Sequence, residues 1–358
     1  MKVTGMGYSD RINRRIVDAR RTIIQTMMLM DELFVKSLLV FSEDRFLGII
    51  TNGDLQRAII AKVPFETPIE KVVNNASKRY ARVEDDQESI RAWMMQNRAE
   101  MMPLLNSKGE LVDAVFWEDI LGDALPLDER KLDLPVVIMA GGRGMRLKPL
   151  TNVIPKPLVP IGDKTILERI MDQFEAIGCS KFYLSVNYKS EMIRFYLGQV
   201  DHIYDVEYFE ETEPLGTIGS VSLLKGKIDT PFFVSNCDIL VDQDYRDVYD
   251  YHLESQNDLT VVSAVKNFRI PYGVIETGDN GLLTGLKEKP DLTYMINTGV
   301  YLLNPECILE IPEGTFFHIT HLIERIKDKG GRVGCFPVSE HSWKDMGEWK
   351  DYLKLTHV

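Results

Sequence analysis

Residues 135–158 read PVVIMAGGRGMRLKPLTNVIPKPL, and the reading of this stretch decides the fold. Pro135 to Ala140 is an unbroken apolar run, the pattern of a strand buried on both faces. The chain leaves it through Gly141-Gly142-Arg143-Gly144-Met145-Arg146-Leu147. Glycines let a backbone approach a ligand closely, and turn amides can point at phosphate oxygens. Arg143 and Arg146 supply positive charge in the same loop. The loop is not a Walker A element, because G-x-x-x-x-G-K-[ST] is absent, and the third glycine of a dinucleotide fingerprint is missing. Downstream, Pro149, Pro155 and Pro157 stiffen the segment that carries Lys156.

Outward from this stretch the pattern alternates. Lys164 to Ile177 reads as a helix, with Ile166, Leu167, Ile170, Phe174 and Ile177 on one side. Lys181 to Val186 and Pro231 to Val234 read as strands, and Glu191 to Leu197 as a helix. Alternation of this kind implies an α/β unit: a mostly parallel sheet with helices on both faces. Phe232-Phe233-Val234-Ser235-Asn236-Cys237-Asp238 is a strand ending in an acid, where open α/β sheets place ligands. Trp343-Lys344-Asp345-Met346-Gly347 sets a second acid in a tight turn. Mg²⁺ commonly takes one or two carboxylates and completes its shell with phosphate oxygens. Taken alone, Asp238 has a strand-end cap as its alternative reading. Glu213-Pro214-Leu215-Gly216-Thr217-Ile218-Gly219 is either a ligand loop or an ordinary turn with Thr217 as a helix cap.

These pieces, in this order, resemble the sugar-1-phosphate nucleotidyltransferases, whose signature is A-G-G-x-G-[TS]-R-[LM]-x-P-[LM]-T followed by P-K-P-[LM]. The resemblance spans about residues 135 to 355, with Met145 departing from the usual Thr. It implies a Rossmann-like, mostly parallel mixed sheet of the GT-A-like nucleotidyltransferase fold. It also implies a reaction in which a sugar 1-phosphate attacks a nucleoside triphosphate and pyrophosphate leaves. In that family the arginine matched by Arg146 neutralises the departing pyrophosphate, and the lysine matched by Lys156 bridges the phosphates of the two substrates. The W-x-D-x-G match makes Asp345 the partner of Asp238 in holding Mg²⁺. Nucleotide contacts carry over to Gly141, Gly142, Arg143, Gly144, Glu213, Gly216 and Thr217. Sugar-phosphate contacts carry over to Gly273 in Tyr272-Gly273-Val274-Ile275-Glu276, to Glu288 and Lys289 in Glu288-Lys289-Pro290, and to Asn297 and Gly299 in Asn297-Thr298-Gly299-Val300-Tyr301. The P-L-G-T-x-G form of the base loop looks more like guanylyl- and cytidylyltransferases than thymidylyltransferases. Two rivals stand beside this reading. One is a nucleotide-sensing protein with an inactive transferase domain. The other is a GT-A glycosyltransferase using Asp242-Gln243-Asp244 as its D-x-D motif.

The first third of the chain contains an internal repeat. Leu38–Leu55 (LLVFSEDRFLGIITNGDL) aligns without a gap with Pro103–Ile120 (PLLNSKGELVDAVFWEDI), at an offset of 65 (119 − 54). Each copy reads as strand, turn, strand, then an acid opening a helix. Each follows a Met-rich stretch read as helix core: Met27, Met28 and Met30, then Met94, Met95, Met101 and Met102. The repeat resembles a tandem CBS-domain pair, an α+β module, over residues 1–122. Gly48-Ile49-Ile50-Thr51-Asn52-Gly53-Asp54 is close to that family's G-h-h-[ST]-x-x-D signature, which implies Thr51 and Asp54 on the ribose of a regulatory nucleotide. Asp54 as a plain helix cap is the alternative. In the second copy Phe116 stands at the Ser/Thr position and Asp113 at the Gly, which puts a second ribose site in doubt. Residues 123–134 read as a linker, and 135–358 as the catalytic domain. This fusion resembles hexosamine-1-phosphate guanylyltransferases of nonulosonic (legionaminic) acid pathways, and implies GTP with glucosamine 1-phosphate.

The 358 residues are 44% hydrophobic and 27% charged, with a formal net charge of −12. A net negative field disfavours nucleic acid and anionic membrane as partners. Any triphosphate site must therefore gather its cations locally. Cys179, Cys237, Cys307 and Cys335 form no CxxC pair and no zinc-like cluster. The start, MKVTGMGYSD, has no apolar core of a signal peptide, and no run approaches a membrane span. A cytoplasmic homo-oligomer is the expectation, with assembly through the paired repeat. His318 and His321 show no metal spacing and read as structural or solvent-facing.

Overall fold

The computed structural model describes residues 8–73, 80–97, 99–121, 130–200, 204–347, 349 and 352–353. The chain divides into two compact units, Met1–Asp128 and Glu129–Val358.

In the first unit a short helix α1 (Asp10–Arg14) precedes two copies of one element order. The first copy is β1 (Ile16–Asp18), α2 (Ile23–Leu33), β2 (Ser37–Ser42), β3 (Arg45–Thr51) and α3 (Asn52–Ile60). The second is β4 (Ala81–Arg82), α4 (Gln87–Asn97), β5 (Met101–Leu105), β6 (Leu111–Phe116) and α5 (Trp117–Leu121). In each copy a parallel pair is followed by an antiparallel one. The sequence period is thus a period of structure. Ile12, Leu39, Phe41 and Ile49 pack with Met101, Leu111, Ala114 and Phe116 in one core. The methionines divide by position. Met27, Met30 and Met94 are buried on their helices, while Met28 and Met95 face outward. Met101 and Met102 are not helical as expected. They open β5, a strand covered on both faces, so an apolar pair fits there without helical periodicity.

The second unit contains β7 (Val136–Met139), β8 (Pro160–Ile161), β9 (Lys164–Thr165), α6 (Ile166–Glu175), β10 (Lys181–Val186), α7 (Ser190–Leu197), β11 (Asp205–Glu210), β12 (Phe232–Asn236), β13 (Ile239–Val241), α8 (Tyr245–Glu254), β14 (Leu259–Arg269), β15 (Val274–Thr277), β16 (Leu283–Lys287), β17 (Asp291–Leu303), α9 (Ile319–Asp328), β18 (Val333–Ser339) and β19 (Trp343–Asp345). Seven of these strands form one sheet in the order β11-β10-β7-β12-β17-β14-β18. The first four are mutually parallel, β17 is antiparallel to both neighbours, and β14 and β18 are parallel. The sheet is therefore mixed and mostly parallel, as the alternating pattern implied. Val136 and Ile138 enter one core and Val137 the other, so the continuous apolar run of β7 serves both faces.

Helix α6 starts at a buried capping box, in which Thr165 and Glu168 exchange bonds and Tyr196 donates to Glu168 at 2.9 Å. Ile166, Leu167, Ile170 and Phe174 then bury its apolar side. Residues 130–134, which composition places in a linker, are packed. The Leu132 amide donates to the Ile177 carbonyl at 2.9 Å, and Leu134 is buried. Beyond the sheet, β14 and β17 continue together. β18 pairs with β14 only as far as Val265, and the register of β14 with β17 runs on to Arg269 opposite Asp291. The hairpin of β15 and β16 extends this two-stranded arm. Among the described residues no helix is long and apolar enough to cross a membrane.

Candidate active site

The site forms where the parallel strands β7 and β12 end. β12 delivers Asp238. β13 then pairs antiparallel with β19, Ile239 opposite Asp345, and the Met346 amide donates to the Asp238 carbonyl at 2.8 Å. A short two-stranded ladder thus sets two acids, distant in sequence, on one rim. The Lys156 ammonium donates to Asp238. The Arg146 guanidinium lies 3.7 Å from Asp238 and 3.8 Å from Asp345. The Gly347 amide donates to Asp345 at 2.7 Å. Burial pushes the Asp345 carboxyl above the usual range. The Asp238 charge pushes the same way, while the Gly347 amide, Arg146 and Lys156 pull it back.

The two cations are placed by the turn after β7. Gly144 sits at φ +61°, and a Cβ there would lie 2.8 Å from Thr151 Cγ2 and 3.0 Å from Lys156 Cβ. Only glycine allows this close fold-back at low cost. The Thr151 hydroxyl closes the turn onto the Gly144 carbonyl at 2.9 Å. Lys189 donates to the carbonyls of Asn152 and Val153 at 2.6 and 2.7 Å, and Tyr188 to that of Thr151 at 3.2 Å. From the other side, the Trp349 indole donates to the Lys148 carbonyl at 2.9 Å. The segment bearing Arg146 and Lys156 is therefore clasped by α7's approach and by the chain after β19.

A cavity of about 200 Å³ opens here, lined by Arg146, Asp238, Asp345, Asn236, Asn297, Thr298, Gly299, Tyr301 and Trp343, among others. It brings together five of the residues read from sequence, and Lys156 joins them through Asp238. Asn236 and Trp343 were quoted in the motifs without a role. Asn297 accepts from the Gly299 amide at 3.0 Å, which fixes the turn entering the buried half of β17.

The Glu213–Gly219 loop, expected to receive the base, lies on a separate support. Gly216, at φ +83°, faces the Phe317 carbonyl, which a Cβ would meet at 2.6 Å. The Phe317 amide donates to the Leu215 carbonyl at 2.9 Å, and the Ile218 amide to the Phe317 carbonyl at 3.2 Å. The Thr217 hydroxyl accepts from the Ile319 amide at 2.9 Å, so Thr217 serves the first turn of a helix a hundred residues on. His318 and His321 cap this same helix, with His318 Nδ1 3.4 Å from the Thr217 hydroxyl. Beneath the loop, buried Glu211 accepts from Ser185 at 2.6 Å and from the Leu215 amide at 3.1 Å. A Cβ on Gly141 would lie 3.5 Å from the same carboxylate. Sequence reading missed Glu211, since nothing in YFEETEPLG marks it out from its acidic neighbours.

Other expected residues lie outside the cavity lining. Gly273, Glu288 and Lys289 are exposed, flanking the β15–β16 hairpin, with the Lys289 ammonium 4.0 Å from Glu288. Arg143 and Glu213 are also exposed. Asp244 of the D-x-D letters caps α8 and pairs with Arg246. In the first unit Thr51 and Asp54 form a capping box at the start of α3, and Asp54 pairs with Arg57 at 2.7 Å. Among the described residues no cluster of three or more His, Cys, Asp or Glu is arranged to hold a metal. Asp238 and Asp345 are a pair, which fits a hard cation that draws its remaining ligands from phosphate and water.

A family model described as nucleotidyl transferase matches residues 135–357. The chain is 31% identical over 239 residues to the mannose-1-phosphate guanyltransferase of Aspergillus oryzae, covering 62% of this chain and 63% of that protein. It is 32% identical over 226 residues to the mannose-1-phosphate guanyltransferase of Pichia angusta, covering 61% of this chain and 62% of that protein. The chain thus spans less than two thirds of the length of these relatives. Among solved structures, HddC from Yersinia pseudotuberculosis superposes with a TM-score of 0.50 at 28% identity, covering 63% of this chain and 98% of HddC.

The geometry makes two substitutions informative. A Cβ on Gly347 would lie 2.6 Å from the Arg146 guanidinium and 2.7 Å from the Asp345 carboxylate. Gly347→Ala is expected to displace Arg146 and lower turnover by about 100-fold, the scale of an ångström-sized misplacement. The melting temperature should stay near wild type. Thr217→Val removes the acceptor for the Ile319 amide, at a cost of about 1 kcal/mol. If the loop receives the nucleotide, its KM should rise about fivefold with kcat little changed, read from initial rates at saturating co-substrate.

Proposed function

The chain belongs to the nucleotidyl transferase family over residues 135–357, and on that premise we propose that it is a sugar-1-phosphate guanylyltransferase. The observation that carries this reading is the convergence of Arg146, Lys156, Asp238 and Asp345 on one rim of one cavity. An inactive relative has no use for two cations and two carboxylates held in this way. A glycosyltransferase reading loses its D-x-D motif, because Asp244 is spent on α8 and Arg246.

In the reaction, an oxygen of the sugar 1-phosphate attacks the α-phosphorus in line. The new P–O bond forms as the bond to the β-phosphate oxygen breaks, and pyrophosphate leaves. Little covalent chemistry falls to the protein, so positioning and charge stabilisation dominate. Arg146 stabilises the charge that grows on the departing pyrophosphate. Lys156, buried and rigidly held, bridges the phosphates of the two substrates. Gly141, Gly142 and Gly144 present backbone to the phosphates, with Arg143 at the loop's exposed edge. Enzymes of this family use a divalent metal. Asp238 and Asp345 would hold it, here Mg²⁺, and when bound it offsets the negative charge of the reacting phosphates.

Guanine is favoured by the P-L-G-T-x-G loop and by the guanyltransferase relatives. Buried Glu211 retains acceptor capacity beside the loop, and guanine offers donors at N1 and N2. For the sugar, glucosamine 1-phosphate is the first choice, and mannose 1-phosphate, named by the relatives, is its rival. Gly273, Glu288, Lys289, Asn297 and Gly299 are assigned to the sugar side; Asn297 and Gly299 line the cavity, and the first three flank the β15–β16 hairpin.

Residues 1–122 are read as the tandem CBS pair, an assembly and regulatory module, with Thr51 and Asp54 on a nucleotide ribose. In the second copy a nucleotide is disfavoured. Arg11 stacks 3.9 Å over the Phe116 ring and pairs with Glu118 and with Asp119, the counterpart of Asp54.

Pyrophosphate release measured for four nucleoside triphosphates against several sugar 1-phosphates tests the activity. GTP should give the highest kcat/KM, and a clear preference for UTP or dTTP would refute the base assignment. Asp238→Asn and Asp345→Asn should each abolish most turnover while the fold survives. Near-wild-type rates in Mg²⁺ for both would remove the metal assignment. Calorimetry of the full chain with AMP, ADP, GMP and GDP tests the first unit. One adenine- or guanine-nucleotide site is expected there, lost in Asp54→Ala without loss of transferase activity. Unchanged stoichiometry in that variant would refute the ribose role.

A further inference from the structure

The turn between β10 and α7 is Asn187-Tyr188-Lys189, and its last position breaks several local rules at once. Lys189 stands at φ +54°, ψ +38°, a left-handed conformation that suits glycine or asparagine far better than lysine. It is also the N-cap of α7. Serine, threonine, aspartate or asparagine would there accept a bond from the helix's free amides, and lysine has no acceptor to offer. Its charge sits at the positive end of the helix dipole. A residue held against its backbone preference, its capping role and its charge calls for a compensating gain, and such residues concentrate at functional sites.

The gain lies across the turn. The Lys189 ammonium donates to the carbonyls of Asn152 and Val153 at 2.6 and 2.7 Å, and the Tyr188 hydroxyl to that of Thr151 at 3.2 Å. Two successive side chains thus hold three successive carbonyls of one loop. The ammonium also lies 5.3 Å from the centre of the Tyr188 ring, a contact that favours the two acting together. Asn152 and Val153 are themselves exposed, so the loop has little packing of its own at this point. The same turn reaches two further parts of the site. The Tyr188 amide donates to the Gly141 carbonyl at 3.4 Å, and the Asn187 carboxamide to the Glu211 carbonyl at 2.6 Å.

Thr151 leads from this clamp to the cations. Its hydroxyl bonds the Gly144 carbonyl, and its methyl group fills the space beside Gly144 that it shares with Lys156 Cβ. Lys156 in turn donates to Asp238. A shift of the loop at residues 151–153 is therefore passed on to Gly144 and to Lys156. We propose that Lys189, supported by Tyr188, is a positioning residue for phosphoryl transfer: its ammonium clamps the Asn152 and Val153 carbonyls and so keeps Lys156 aimed at the reacting phosphates. The inference rests on the transferase reading given above and goes beyond it, because Lys189 lies outside the cavity lining. Acting only through Thr151 and Lys156, it should show in turnover rather than in substrate binding.

Initial rates of pyrophosphate release by the full-length protein test this, together with melting temperatures and hydrogen exchange. Lys189→Met should lower kcat about tenfold and leave the KM of each substrate within about twofold, the signature of a lost alignment. Lys189→Arg, whose guanidinium can donate to both carbonyls, should recover most of the rate. Lys189→Gly separates positioning from stability. It relieves the left-handed backbone, so it should melt no lower than Lys189→Met, yet it should lose as much rate. Lys227→Met, which removes an exposed ion pair with Glu207, should change neither quantity. Amides of residues 150–154 should exchange faster in the Met and Gly variants than in wild type and Lys189→Arg. Wild-type kcat in Lys189→Met, rates that rise and fall with melting temperature across the series, or unchanged exchange at residues 150–154 would each overturn the proposal. Absence of pyrophosphate from wild type with every substrate pair would instead remove the transferase reading, and the exchange comparison would still decide whether the clamp holds the loop.

Discussion

Two carboxylates on one rim, held against two cations, form the constraint on which the rest of the catalytic unit depends. Asp238 and Asp345 are half-buried, and burial already pushes Asp345 toward its neutral form. A second negative charge beside it adds to the cost of keeping Asp345 ionised. Arg146 and Lys156 relieve that repulsion by pairing with both acids. To keep the arrangement the chain must return after β18, lay β19 beside β13, and anchor its onward path. Met346, Trp349 and Tyr352 supply those anchors, bonding to carbonyls of Asp238, Lys148 and Pro160. The last stretch of the chain is thus as much a part of the site as the glycine-rich turn.

The Glu213–Gly219 loop obeys a second, independent constraint. It has no room for a side chain at Gly216 and draws its shape from residues 315–321 and from Glu211. Thr217, His318 and the start of α9 form one hydrogen-bonded unit. Thr217 does cap a helix, though one far along the chain rather than the one that follows it.

The strands and helices of the second unit were legible because period and composition agree locally. The run at Val136–Met139 is apolar throughout since it feeds two cores, and α6 shows its stripe because one side alone is buried. The clustering of side chains at the cavity was legible where a motif ties residue type to spacing, as at Arg146, Lys156 and Asp345. Glu211 was not, because its role comes from Ser185 and Leu215, which only the sheet brings near. Met101 and Met102 misled because a methionine pair fits helix and strand cores equally well. Residues 130–134 misled because proline and charge suggest a loop, while Leu132 and Leu134 seat that loop on the catalytic core.

Charge counting in the cluster leads one step further. Arg146 and Lys156 balance Asp238 and Asp345, so the rim as it stands is close to neutral inside a chain of net charge −12. A bare triphosphate that drew both cations to itself would leave two carboxylates facing each other, partly desolvated and unpaired, which is costly. On the proposed reading, a divalent cation would restore the balance, with Asp238 and Asp345 to hold it while Arg146 and Lys156 face the phosphates. On that reading the pairing of the two acids with the two cations would favour the metal-complexed nucleotide over the free one.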